Sequence, residues 1–312
     1  MRTAFLFPGQ GSQAVGMGQS LAQAFPEARA VFAAVDDALG ERLSSSCFSG
    51  PAETLALTAN TQPAILAVSL AAHAVWAARA PAPSYLAGHS LGEYSALVAA
   101  GALGLADAAR AVRSRGLFMQ EAVPKGEGAM AAVLGLEAAR VAELCQQLSG
   151  DEVLSPANYN TPEQTVVAGH ARAVERAVPR FKEAGAKRVV PLNVSAPFHC
   201  ALMAPVVPRL EAVLASVRVE GLRTPVVSNV EAKPNAEAAR VVPLLLAQVT
   251  APVRWVECIL AMVSSGVTRM VELGPGRVLT GLVRSISREV QVLNVEDVPS
   301  LEKALLALAA KE

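Results

Sequence analysis

The chain has 312 residues, of which 52% are hydrophobic and 17% charged, with 27 Lys plus Arg against 27 Asp plus Glu. A chain this long and apolar buries roughly three quarters of its unfolded surface, in one large or two modest domains, which excludes disorder. Zero formal net charge and 4% aromatic residues speak against nucleic-acid binding and membrane-surface adhesion, which call for excess positive charge.

Thr3 to Phe7 is a short apolar run stopped by Pro8-Gly9, which predicts a buried strand feeding a glycine-rich loop. That start is too short for the apolar stretch of a secretion signal, so the cytoplasm is the expected compartment. Leu21 to Leu39 reads as helical, and Gln62 to Ala78 as a long alanine-rich helix with Pro63 near its start. Its apolar part, Ala64 to Ala78, falls short of the ~20 residues that cross a bilayer. Ser84 to Ala87 predicts a second strand, Gly88 to Gly92 a turn, and Glu93 to Ala100 and Leu105 to Val123 two helices. Short strands alternating with longer helices indicate an α/β core with a largely parallel sheet.

The middle of the chain changes character. Gly128 to Leu136, Val153 to Asn158, Gln164 to Ala168 and Lys187 to Val194 read as strands, with Asn160-Thr161-Pro162 as the turn between the second and third. Glu137 to Leu148 and Ala171 to Ala184 read as helices. This order, βαββαβ, is the ferredoxin-like unit. The α/β pattern then returns with a strand from Pro225 to Val230, a helix around Val253 to Ser264, the strand Arg269 to Leu273, a Gly274-Pro275-Gly276 turn, a helix to Ser287 and the strand Val290 to Val295. The expected architecture is an α/β-hydrolase-like core of residues 1–124 and 192–312, with a ferredoxin-like subdomain of residues 125–191 inserted. Cys47, Cys145, Cys200 and Cys258 form no CxxC pair, so they read as buried thiols in a reducing compartment rather than as a metal or redox motif.

Gly88-x-Ser90-x-Gly92 lies between a strand and a helix. A serine offered for attack needs such a sharp turn, flanking glycines relieve its crowding, and the helix N-terminus beyond it supplies N–H groups for an oxyanion. The plain alternative is a glycine-rich turn. Four histidines could serve as base. His89 adjoins Ser90 and should point away, His73 sits in the alanine-rich helix, and His170 opens a helix of the inserted unit. His199 follows Ala196-Pro197-Phe198 where the chain re-enters the core, and is the base by elimination. No Asp or Glu lies between Asn193 and Leu210 to orient it, so a backbone carbonyl or an amide such as Gln248 would have to do so. Cys200, next in the chain, should face the other way.

On the helix from Leu105, the apolar stripe Leu105, Ala108, Ala109, Val112, Met119 and Val123 includes Arg115 but not Arg110 or Arg113. An inward guanidinium needs an anionic partner. It could snorkel, form an internal salt bridge, or clamp a substrate carboxylate in bidentate fashion. The loop Phe7-Pro8-Gly9-Gln10-Gly11-Ser12-Gln13 lacks the ending of a phosphate-binding loop. In enzymes with this serine turn, a neighbouring loop usually adds an oxyanion N–H.

Taken together, FPGQGSQ (Phe7 to Gln13), GHSLGEY (Gly88 to Tyr94), RGLFMQ (Arg115 to Gln120), APFHC (Ala196 to Cys200) and ELGPGRVLTGL (Glu272 to Leu282) resemble the malonyl-CoA:acyl carrier protein transacylases and the related acyltransferase domains of fatty-acid and polyketide synthases. The matches span nearly the whole chain in the family's order. The resemblance implies Ser90 as nucleophile, His199 as base and then acid, Arg115 on the malonyl carboxylate, and the backbone N–H groups of Gln10 and Leu91 as oxyanion hole. It also implies that the Gln248 carbonyl holds His199, and that Phe198 shapes an acyl pocket for malonyl rather than methylmalonyl. The implied substrates are malonyl-CoA and a phosphopantetheinylated acyl carrier protein, with no metal or redox cofactor. Carrier proteins are typically acidic. Arg172, Arg176 and Arg180 recur along one helix with Lys187 and Arg188 nearby, either as a docking face or as an ordinary solvated one, since Glu175 and Glu183 interleave. The rival readings are a serine esterase or thioesterase, a polyketide acyltransferase with another acyl preference, and a docking module without chemistry.

Overall fold

Residues 2–309 are described in the computed structural model. Among them are ten strands: β1 (Arg2–Phe7), β2 (Tyr85–Gly88), β3 (Gly128–Leu134), β4 (Leu154–Thr161), β5 (Gln164–His170), β6 (Arg188–Pro191), β7 (Val226–Val227), β8 (Pro234–Asn235), β9 (Val267–Leu273) and β10 (Gln291–Val295). Six form a sheet in the order β10-β9-β1-β2-β7-β8, parallel except for β8, which returns antiparallel to β7. The apolar run at the start of the chain becomes the middle of this sheet because both of its faces are covered. Phe5 and Phe7 enter one core with the helices Pro26–Leu39, Thr58–Ala77 and Leu105–Glu121, while Ala4 and Leu6 enter another with Trp255–Ser264 and Val278–Ile286. The unbroken apolar run Ala4 to Phe7 within this strand is what burial on both faces demands.

The other four strands form an antiparallel sheet in the order β4-β5-β3-β6, the ferredoxin-like arrangement. Here the alternation along β3 sorts its side chains. Ala131 and Val133 pack on the helices Ala138–Ser149 and Ala171–Glu183, whereas Met130 and Ala132 face the large sheet's domain with Cys200. The two sheets are tied through β4, where Tyr159 N donates to Val253 O at 2.9 Å and Val253 N to Ala157 O at 2.9 Å.

Several elements differ from the sequence reading for identifiable reasons. The stretch Leu21 to Leu39 is two helices, Gln19–Ala24 and Pro26–Leu39, because Phe25 is extended ahead of Pro26. The alanine-rich helix begins four residues earlier, at Thr58, with Pro63 inside it. The Asn160-Thr161-Pro162 turn moves on to Pro162-Glu163, since Asn160 and Thr161 remain in β4. Of Pro225 to Val230, only Val226 and Val227 stay in the ladder, because the chain turns away after them and Asn229 braces the serine turn. The helices Leu43–Ser49, Ala52–Ala56, Val206–Leu214, Val241–Thr250 and Val298–Ala309 come in addition. No helix among the described residues is long and apolar enough to cross a membrane.

Candidate active site

The turn after β2 is built on two close backbone approaches. A Cβ on Gly88 would lie 1.9 Å from Gly92 C, and one on Gly92 would lie 2.0 Å from Phe7 O. Only glycine fits either place, so the spacing of the motif is a steric requirement. Ser90, between them, is held at φ 51°, in the left-handed region that non-glycine residues avoid. Asn229 supports it from the chain beyond β7. Its Nδ2 donates to Gly88 O at 2.7 Å, and its Oδ1 accepts from Ser90 N at 2.7 Å. The helix Gly92–Ala99 starts directly after the serine.

The Ser90 Oγ lies 2.7 Å from His199 Nε2. Residue 199 also has a left-handed backbone, at φ 59°, and its Nδ1 donates to the Gln248 carbonyl at 2.9 Å. A carbonyl can only accept, so the proton sits on Nδ1 and the Nε2 lone pair faces the hydroxyl. Burial, and then the Arg115 charge, bring the imidazole down to about 3. A hydroxyl bonded to the lone pair of a neutral imidazole is arranged for general-base activation.

Arg115 is 2% exposed. Its Nη1 donates to Gln62 Oε1 at 2.8 Å, and its Nη2 to Gln248 Oε1 at 3.0 Å and Ser90 Oγ at 3.1 Å. The inward stripe is therefore real, and neither snorkelling nor a direct salt bridge explains it, since these partners are all neutral. Its Nε has no partner among the described residues. A buried cation held by neutral oxygens, with a donor to spare, is suited to an incoming anion.

These groups line a cavity of about 110 Å³ with Gln10, His89, Leu91, Met119, Met130, Asn158, Leu192, Val194 and Phe198. Gln10 and Leu91 thus meet at the serine from different strands' loops. Among the described residues, neither backbone N–H is taken up in the hydrogen bonds of its own turn, which leaves both available to an oxyanion. The other histidines and Cys200 are engaged elsewhere. His89 bonds Asn160 at 2.8 Å and packs edge-on to Trp255, His73 sits against Phe5 and Phe7, and His170 Nδ1 accepts from Val153 N. Burial pushes the Cys200 thiol up to about 11, and it donates to Pro197 O.

Three contributors escape the sequence reading: Gln62, Asn229 and Glu93. Glu93 is 3% exposed, and its Oε2 accepts from Gln248 Nε2 at 2.7 Å and Asn229 N at 3.1 Å. A glutamate in a helix's first turn reads as a favourable surface charge, which hides it. Gln62 is one of several polar residues in its helix, with Asn60, Thr61 and Ser69, so polarity alone does not single it out. Nothing local marks Asn229.

The arrangement and the two-sheet fold define an acyl transferase, and the acyl transferase domain family matches residues 4–307. The malonyl CoA-acyl carrier protein transacylase of Bacillus subtilis (strain 168) is 45% identical over 308 residues, 98% of this chain and 97% of that protein. Among solved structures, an acyl carrier protein S-malonyltransferase from Vibrio cholerae superposes with a TM-score of 0.95 at 44% identity, covering 97% of this chain and 100% of that one. A malonyl-transacylase solved in complex with its type II PKS acyl-carrier protein gives 0.96 at 45%, covering 98% and 100%. The chain belongs to the malonyl-CoA:acyl carrier protein transacylase family.

Proposed function

We propose that the chain transfers malonyl from malonyl-CoA to the phosphopantetheine thiol of an acyl carrier protein through an ester on Ser90. The observation that carries this is the convergence on one hydroxyl of a neutral imidazole at 2.7 Å and a buried guanidinium at 3.1 Å. Ser90 attacks the thioester carbonyl while His199 Nε2 takes its proton. The Gln10 and Leu91 N–H groups receive the developing oxyanion, and His199 then protonates the departing CoA thiolate. The carrier thiol runs the sequence in reverse. Acyl transfer between two thiols through an ester balances without a metal or redox group.

Arg115 grips the distal carboxylate, and this has a second effect. Its charge is one reason for the low basicity of His199. A malonyl carboxylate paired with Arg115 offsets that charge, so the correct substrate strengthens the base that activates Ser90. An acetyl group cannot do so. Phe198, against the cavity, narrows the room beside the acyl chain and favours malonyl over its branched homologue.

For the carrier, the reading is docking near Arg172, Arg176, Arg180, Lys187 and Arg188, supported by the exposure of all five. Their field is partly offset, since Arg176 pairs with Glu152, Arg180 with Glu183 and Lys187 with Glu163. The patch therefore steers encounter more than it adds affinity. The inserted unit is taken as residues 125–191, the cytoplasm as the compartment, and the product as a supply for fatty-acid or polyketide assembly. The test is intact-protein mass after incubation with malonyl-, methylmalonyl- or acetyl-CoA, before and after adding carrier. A malonyl adduct that the carrier removes, and that Ser90→Ala abolishes, is expected. An adduct surviving Ser90→Ala, or release to water rather than to the thiol, would refute the reading.

A further inference from the structure

The acyl transfer above leaves one buried charge without a task. Glu93 meets Arg115 through an intermediary. Gln248 Nε2 donates to the carboxylate at 2.7 Å while Gln248 Oε1 accepts from Arg115 Nη2 at 3.0 Å. The anion and the cation therefore share an amide rather than forming a salt bridge, and Glu93 balances Arg115 without occupying the face that a ligand needs. The other ionisable groups around it are neutral near pH ~7. Burial pushes Tyr94 up to about 12, raises Cys258 of the helix Trp255–Ser264 well above the usual thiol range, and, with Arg115, holds His199 near 3. With Glu93 ionised, the cluster is electrically balanced.

A malonyl carboxylate on Arg115 brings a second anion to the same buried cation. In a dry interior, an uncompensated charge costs several kcal/mol, and a titratable group takes up a proton instead. The substrate's carboxylate bonds the guanidinium directly and stays ionised. Glu93, with only an amide N–H and a backbone N–H as donors, is the group that yields. We propose that malonyl loading onto Ser90 is coupled to the uptake of one proton from solvent by Glu93, whose role as counter-charge passes to the substrate. This rests on the function proposed above. Burial already lifts the free carboxyl to about 7, so little is needed to protonate it.

The chemical step itself is proton-neutral. The thioester C–S bond breaks, the ester C–O bond forms, and the serine proton leaves on the CoA thiol by way of His199. Any net uptake therefore belongs to the protein. The experiment loads the wild-type enzyme in weakly buffered solution at pH about 7.5 with an indicator dye, counting esters by intact mass. Well over half a proton per malonyl ester is expected, since a group titrating near ~7 is mostly ionised there, and none is expected with acetyl-CoA. Glu93→Gln keeps one oxygen for both hydrogen bonds. It should load malonyl without uptake, with a loading midpoint independent of pH, where the wild type weakens by up to about tenfold per pH unit above ~7. Malonyl ester formed with no uptake, or uptake persisting in Glu93→Gln, overturns the proposal alone. Failure of the wild type to form the ester overturns the underlying function and this proposal with it. Should Glu93→Gln not fold, the wild-type proton count decides.

Discussion

Arg115→Ala separates a substrate clamp from a structural arginine. In the free enzyme, the side chain donates to Gln62 Oε1, Gln248 Oε1 and Ser90 Oγ and touches no carboxylate. Its worth should therefore appear only when a diacid arrives. Removing one partner of a buried, hydrogen-bonded ion pair costs about 3–5 kcal/mol, which corresponds to two to nearly four powers of ten in malonyl loading. Acetyl loading lacks the pair and should change by less than about threefold, because His199, freed from the neighbouring cation, becomes a stronger base. Some stability is lost as well, since two buried amide oxygens forfeit a donor at about 1–3 kcal/mol each, against the relief of no longer burying a charge. The assay is single-turnover release of CoA from malonyl- and acetyl-CoA, with thermal melting alongside to show that the variant is folded. Equal losses for both acyl groups would reduce the arginine to a packing element and refute the clamp.

Three further outcomes are expected. His199→Ala should slow loading and unloading by at least ~10²-fold, and because burial holds the wild-type imidazole near 3, the wild-type rate should show no histidine-like acid limb between pH about 7 and about 5; such a limb in a pH–rate profile would contradict that environment. Reversing Arg176 and Arg180 to glutamate should raise KM for the carrier, leave the CoA half-reaction unchanged and shift melting little, since their exposed ion pairs are worth about 0–1 kcal/mol each; equal effects on both half-reactions would dismiss the docking face. Glu272→Ala should destabilise by roughly 2–4 kcal/mol near pH ~5, because the buried Glu272 accepts from Leu279 N at 3.0 Å and Thr280 N at 2.7 Å where the helix Val278–Ile286 begins. Burial raises that carboxyl to about 7, so its contribution is fully present below the unfolded value and declines as pH rises through about 7; a deficit that grows with pH in melting curves would contradict the sign.

What the sequence discloses about this site follows from how local each requirement is. Gly88 is legible because its steric partner, Gly92, lies within the same five-residue turn, although Gly92 itself is required by Phe7 O from the neighbouring strand, and Arg115 is legible because helical periodicity marks the face it shares with Val112 and Met119. His199 comes by elimination among four histidines. The remaining parts depend on side chains that meet only after folding. Asn229 reads as the end of a strand, yet its amide holds the serine turn from 139 residues away. Gln248 does two jobs, its carbonyl fixing His199 and its side chain linking Arg115 to Glu93, and no periodicity announces either. Fold class was accessible through alternation and run length. The added helices Val206–Leu214 and Val241–Thr250 were not, since short segments without caps leave little pattern.

The same geometry bears on why such a site would transfer an acyl group rather than hydrolyse it. Beside the serine, the inserted sheet and the chain leaving it supply Met130, Leu192, Val194 and Phe198, and Leu91 and Met119 complete the apolar part of the lining. Burial of the site lowers the local dielectric, which strengthens the pairing of Arg115 with a diacid. A thiol carried on a flexible arm brings its own binding energy to compete with water for the ester. The inserted sheet is held to the larger domain near this point by the bond between His89 and Asn160 and by the exchange between Val253 and β4. It thereby keeps Met130 and Asn158 in the cavity's lining, while Ser90, His199 and Arg115 all come from the larger domain.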